Sequence, residues 1–380
     1  MNPFTINVAD DVLDDLRERL DRTRYPDQIE GSGWDYGTDS TYLRELCDYW
    51  RTAFDWRKQE ARLNSFPHFR AEVDGLRLHF IHQRSSEPGA LPLIITHGWP
   101  GSVFEFVKII APLTDPVAHG GKKEDAFHVV CPSMPGYGFS DAPRQSGFDI
   151  KHVGEINAKL MAQLGYTRYG AQGGDWGSLA STWNAVTAPD NVRGIHLNMV
   201  IGRPPSGGNP VEGLTPEEVQ GLMRADHFRK LETGYQRIQG TKPQTLGYGL
   251  NDSPAGLAAW IVEKWRTWSD CGGDIEKRFT KDELLTNIMI YWATNTITSS
   301  MRLYCESARS KHFGPAPGKV ETPTAFAVFP YDLSPLPRSW AERHYNVTQW
   351  TPMPRGGHFA ALEEPGLLVD DIRAFFRGLR

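Results

Sequence analysis

The chain has 380 residues, 39% of them hydrophobic and 23% charged, enough for one large or two small globular domains. A net charge of -5 argues against a polyanion-binding surface, and so against a nucleic-acid partner. No apolar run reaches the length of a membrane span, and Met1-Asn2-Pro3-Phe4 does not begin a signal peptide, so no transmembrane segment and a cytoplasmic protein are expected. Cys47, Cys131, Cys271 and Cys305 are widely spaced and form no CxxC; they read as free thiols in a reducing compartment, with two disulfides as the alternative.

Residues 8 to 22 carry an amphipathic helical pattern, with Val12, Leu13, Leu16 and Leu20 on one face. A second runs from Thr41 to about Phe54, and a loop rich in Gly, Trp and Tyr, 31 to 37, separates them. This region is expected to lack strands and to wrap the rest. From Phe69 the period changes. Phe69 to Val73 and Leu76 to His82 alternate as a hairpin around Asp74-Gly75. Leu91 to Thr96, Phe127 to Pro132, Tyr166 to Gln172 and Val192 to Val200 read as strands, with helices at about 102 to 112 and 150 to 164 between them. Such alternation predicts an α/β protein with a mostly parallel sheet and helices on both faces.

Ile201 to Leu214 is rich in Gly and Pro and reads as a linker. Residues 215 to 310 look helical, with long patterns at 254 to 268 and 281 to 308. Pro323 to Pro330 and Tyr345 to Met353 resume as strands, and Glu364 to Phe376 closes as a helix. A helical insertion thus interrupts the sheet. The division is 1–68 (wrapping segment), 69–200 and 321–380 (sheet core), and 201–320 (insertion).

The chemistry centres on Gly173-Gly174-Asp175-Trp176-Gly177, a tight strand-to-helix turn with an aspartate where such turns usually carry serine. A carboxylate there suggests a nucleophile that forms an alkyl-enzyme ester by attack on saturated carbon; the competing reading is an N-cap for the next helix. An ester needs a base, and the base needs an orienting acid. His358, in Gly356-Gly357-His358-Phe359, follows the last strand, and Asp332 follows the strand before it. Taken singly, either could be a surface or capping residue. Together they give the chain order nucleophile, acid, histidine, at strand C-termini. His97-Gly98-Trp99-Pro100-Gly101 follows the third strand. Its Trp99 amide, with that of Trp176, could form an oxyanion hole; the alternative is a turn with a buried Trp.

Four motifs together resemble the microsomal-type epoxide hydrolases of the α/β-hydrolase superfamily, over nearly the whole chain. They are His97 to Ser102, Gly173 to Ser178, Asn251-Asp252-Ser253-Pro254-Ala255-Gly256-Leu257, and Arg355 to Ala361. The resemblance implies an α/β-hydrolase core with a helical lid, no cofactor, a small-molecule epoxide as substrate, and a possible homo-oligomer. A membrane anchor of some members is missing, which implies a soluble form. Tyr235 and Tyr304, which the sequence alone reads as core residues, match the positions where the family holds the epoxide oxygen. A phenol of pKa near 10 stays protonated at neutral pH and can donate to a developing alkoxide. The alternative within the superfamily is a haloalkane dehalogenase, which also carries Asp-Trp at the elbow; a binding protein on a dead hydrolase fold is the reading from another class.

Overall fold

The computed structural model describes residues 1–207, 209–333 and 335–380. Gly208, inside the stretch expected as a linker, lies outside the described residues. The described residues form one nine-stranded sheet: β1 Asn2–Phe4, β2 His68–Val73, β3 Leu76–Gln83, β4 Leu91–Thr96, β5 Phe127–Pro132, β6 Tyr169–Gly173, β7 Val192–Leu197, β8 Val320–Val328 and β9 Tyr345–Pro352. Their order is β1-β2-β3-β5-β4-β6-β7-β8-β9. The first three pairings are antiparallel, and every pairing from β5 to β9 is parallel. The central strands are near-continuous apolar runs, as burial on both faces requires: every residue of β5 is buried.

Strand order reverses at β4, which lies between β5 and β6. The connection from β4 runs to β5 on one side and that from β6 to β7 on the other, which opens a crevice between the C-terminal ends of β4 and β6, where open α/β sheets place their sites. Between β7 and β8 come the helices of the insertion: Pro216–Leu231, Gly234–Thr241, Pro243–Asp252, Pro254–Trp268, Lys281–Thr294 and Ile297–Arg309. One continuous hydrophobic cluster runs from Leu13 and Leu46 of the N-terminal segment through Ile94 and Trp99 to Trp265 and Ile288 of the insertion. A second cluster fills the other face of the sheet beneath the C-terminal helix Pro365–Phe376.

Three expectations change. The N-terminal segment contributes a strand, β1, which adds an antiparallel edge to β2; three residues are too few to show a period. The helix expected at 102 to 112 is a 3-10 turn, Val103–Phe106, followed by a short helix, Ile110–Thr114. Pro112 has no N–H and its ring would clash with the carbonyl of residue 108, so one helix cannot run through. The pattern from 281 to 308 is two helices, broken at Asn295, which takes a left-handed φ of 54° and caps the first. The N-terminal segment also grips the insertion. Thr38 Oγ1 donates to the Ala259 carbonyl at 2.7 Å, Tyr49 Oη donates to Asp282 Oδ1 at 2.9 Å, and Arg19 pairs with Asp252 at 2.6 Å. All four cysteines are free and buried. Among the described residues, no helix is long and apolar enough to cross a membrane.

Candidate active site

Asp175 sits at the turn between β6 and the helix Trp176–Thr187 with φ 50° and ψ -128°. A non-glycine residue in that region costs of order 1–3 kcal/mol and persists only where its surroundings fix it. Close packing does so here. A Cβ on Gly177 would lie 1.8 Å from the Thr96 carbonyl oxygen, and one on Gly98 would lie 2.3 Å from the Asp175 side chain. Only glycine lets the β4 and β6 turns approach this closely. Asp175 occupies the N-cap position, but its side chain makes no capping bond. Its Oδ1 accepts instead from the Trp99 N–H, at 2.8 Å.

His358 reaches the same carboxylate from the far side. Its Nε2 lies 3.3 Å from Asp175 Oδ2, and its Nδ1 lies 2.6 Å from Asp332 Oδ1. Burial alone would lower the imidazole pKa, but the Asp332 and Asp175 carboxylates override it and push it up to about 10. The histidine loop is fixed by groups that the sequence did not single out. Glu363 accepts from the Gly357, Phe359 and Asp270 N–H groups, and the His358 N–H donates to the Trp268 carbonyl at 2.9 Å. Burial raises the Glu363 pKa to about 7 against those backbone bonds.

The β4 loop is clamped from the insertion. Asn287 Nδ2 donates to the Pro100 carbonyl at 2.8 Å, and Tyr291 Oη donates to the Gly101 carbonyl at 2.6 Å. His97 accepts from the Met134 N–H through Nε2, so its Nδ1 carries the proton given to the Gly98 carbonyl; burial lowers its pKa to about 4 and keeps it neutral. Glu105 is partly buried beside these groups. Desolvation of its carboxyl pushes its pKa up to about 8, with His358 opposing the shift and Asp175 adding to it. A cavity of about 10 Å³, room for roughly one water, is lined by Gly98, Glu105, Asp175 and His358 among others. A lone Glu or Asn within an apolar run, as in Val103-Phe104-Glu105-Phe106 or Leu284-Leu285-Thr286-Asn287-Ile288, was the available sign of a buried partner.

Tyr235 and Tyr304 come from different helices, Gly234–Thr241 and Ile297–Arg309, and both are buried. Tyr235 stacks on Trp99, with centroids 5.2 Å apart and planes at 9°. Tyr304 meets Trp99 edge-on at 5.9 Å and Trp176 at 4.7 Å. The two rings are 5.9 Å apart. Burial, then the nearby Asp175 charge, raises the Tyr235 pKa; burial and the same charge raise that of Tyr304, so both remain phenols. The two expected amides differ: Trp99 donates to Asp175, while Trp176 begins the helix that follows it.

The strand order, with Asp175, Asp332 and His358 just past the C-terminal ends of β6, β8 and β9, defines an α/β-hydrolase fold. The family model described as alpha/beta hydrolase fold matches residues 92–300, and that described as epoxide hydrolase N terminus matches residues 1–106. Epoxide hydrolase 1 of Oryctolagus cuniculus is 43% identical over 404 residues, covering 99% of this chain and 88% of that protein. The solved epoxide hydrolase of Aspergillus niger superposes with a TM-score of 0.90 at 34% identity, covering 100% of this chain and 96% of that one. The juvenile hormone epoxide hydrolase of the silkworm Bombyx mori gives 0.92 at 34%, covering 100% and 94%. This chain belongs to the epoxide hydrolase family.

Proposed function

We propose that the protein opens an epoxide to a vicinal diol through a covalent ester on Asp175. One observation carries the reading: a carboxylate fixed by a backbone amide on one oxygen faces an imidazole with the other, beneath two buried phenols. Asp175 Oδ2 attacks an oxirane carbon while Oδ1 stays on the Trp99 amide. The carbon–oxygen bond breaks, and Tyr235 and Tyr304 donate to the departing oxygen. Each donor that meets charge only in the transition state contributes about 3 kcal/mol.

Ester formation also switches the base on. In the resting site two carboxylates hold a proton on His358. Esterification neutralises one of them, the His358 pKa falls, and its proton can replace the one a tyrosine has given up. The neutral imidazole, oriented by Asp332, then takes a proton from a water in the small cavity as that water attacks the ester carbonyl. Trp99 and Trp176 amides hold the oxyanion. The bond between the Asp175 carbonyl carbon and the alkoxy oxygen then breaks, and the departing alkoxide takes the remaining proton of the added water. The diol leaves neutral, the carboxylate and the imidazolium are both restored, and the cycle closes without net proton change and without a cofactor. We read residues 201–320 as the lid that brings the phenols, 1–68 as the segment that fastens it, and 69–200 with 321–380 as the catalytic core.

Against a haloalkane dehalogenase, a halide leaves without a proton, whereas an alkoxide needs the proton that two phenols can supply. Single turnover of a styrene-type epoxide in ¹⁸O-water tests the two-step route. Label is expected in the Asp175 peptide and not in the first diol released. Label in that diol would mean direct attack by water.

A further inference from the structure

Lys264 is a buried cation that this mechanism does not use. It lies on the helix Pro254–Trp268 with its side chain 7% exposed, and pairs with Glu263 on the same helix. Its Nζ sits 4.9 Å from the centroid of the Tyr235 ring. That ring is also stacked on Trp99 and tilted against Trp268 at 5.2 Å, so it cannot swing away from the charge. A cation held over an aromatic face is attracted by the ring's electrons, and more strongly when the ring carries negative charge.

Ring opening moves charge toward that ring. The Asp175–carbon bond forms, the carbon–oxygen bond breaks, and a proton passes from the Tyr235 hydroxyl to the substrate oxygen. Asp175 loses its negative charge and the Tyr235 phenolate gains one. Burial and the Asp175 charge both oppose a phenolate in the resting enzyme. The second of these disappears as the ester forms; the first does not, and what stands against it is the hydrogen bond from Tyr304 together with the Lys264 ammonium over the ring face.

We infer that Lys264 is a positioning residue for ring opening: its ammonium, held over the Tyr235 ring, stabilises the phenolate that forms as the epoxide oxygen takes the proton. The inference rests on the ester mechanism with Tyr235 as donor. Glu263 is closely paired with the lysine, and its own charge acts on Tyr235 in the opposite sense.

The test uses pre-steady-state ester formation with a styrene-type epoxide, in a Glu263→Gln background so that removing the lysine leaves no unpaired carboxylate. Glu263→Gln alone is expected to form ester no more slowly than the wild type. Adding Lys264→Met should slow ester formation about tenfold, between the values for an exposed and a fully desolvated cation over a ring, and Lys264→Arg in its place should restore the rate. With Tyr235→Phe also present, Lys264→Met should cost nothing further, because no phenolate can form. An unchanged rate in Glu263→Gln/Lys264→Met overturns the inference. So does an equal loss in the Tyr235→Phe background, which marks a packing role. Thermal melts identify a variant that fails to fold, in which case Lys264→Gln takes its place in the same comparison. Absence of any ester in the wild type, or an unslowed Tyr235→Phe, would instead overturn the underlying mechanism.

Discussion

The floor of the site and its roof are built by different physics. The floor, Asp175, His358 and the Trp99 amide, stands on strand ends where backbones nearly touch and hydrogen bonds fix each loop. The roof, Tyr235 and Tyr304, hangs from helices and is located by aromatic packing on Trp99 and Trp176. Backbone contact tolerates no added atom, whereas ring packing tolerates small changes of shape. Substitutions in the floor should therefore stop a chemical step outright, and those in the roof should slow one while leaving the architecture intact.

The sharpest break is Asp175→Asn. An amide is a poor nucleophile, so steady-state turnover should be abolished; a freshly purified variant that turns over at the wild-type rate would refute the assignment, while slow recovery on standing would report deamidation. Next comes His358→Gln, which should separate the two half-reactions. Ring opening needs Asp175 and the phenols, and ester hydrolysis needs the base. Mass spectrometry should show the adduct accumulating on the peptide that carries Asp175. If none accumulates from a substrate that the wild type turns over, the route is not two-step.

The roof gives smaller effects. Tyr235→Phe and Tyr304→Phe should each slow ester formation about a hundredfold, roughly 3 kcal/mol per donor, without a change in melting temperature of more than a few degrees. The double variant should lose more than either, but not additively, because both donors serve one oxygen. Ester formation at the wild-type rate in both single variants would leave the tyrosines as packing residues.

The smallest effect concerns stability. Glu105 ionises near 4.5 in an unfolded chain and near 8 in the folded one, so the unfolded state loses its proton first as pH rises. The stability this group contributes is full below pH 4.5 and is lost on the way to pH 8. Glu105→Gln, which has no such proton to lose, should flatten part of the fall in melting temperature between pH 5 and pH 8. Parallel curves for wild type and variant would show that the carboxyl is already ionised at neutral pH.

The same contrast explains what the sequence could disclose. Asp175, His358 and Asp332 were legible because their loops need glycines and fixed spacing, and because strand ends leave a period that can be read. The tyrosines carry no such signature. Tyr235 in Thr233-Gly234-Tyr235-Gln236 looks like any half-apolar helical residue, and only resemblance to a family pointed to it. Glu363, Asn287 and Tyr291 escaped for another reason: a local run can mark a buried polar group but not its partner, and the Asp270, Pro100 and Gly101 backbone groups they hold lie 93, 187 and 190 residues away. Strand β1 was missed because three residues are too short for an alternation, and the interrupted helices because Pro112 and Asn295 act inside otherwise apolar runs.

The helix Lys281–Thr294 has one further consequence. Near its start Asp282 holds the hydroxyl of Tyr49, and further along Asn287 and Tyr291 hold the carbonyls of Pro100 and Gly101, next to the Trp99 amide that holds Asp175. It works as a tie rod between the outer segment and the Asp175 carboxylate: Tyr49 is anchored at one end of the helix, and the loop whose Trp99 amide holds Asp175 is anchored further along it, so the outer segment shares a frame with the proposed site.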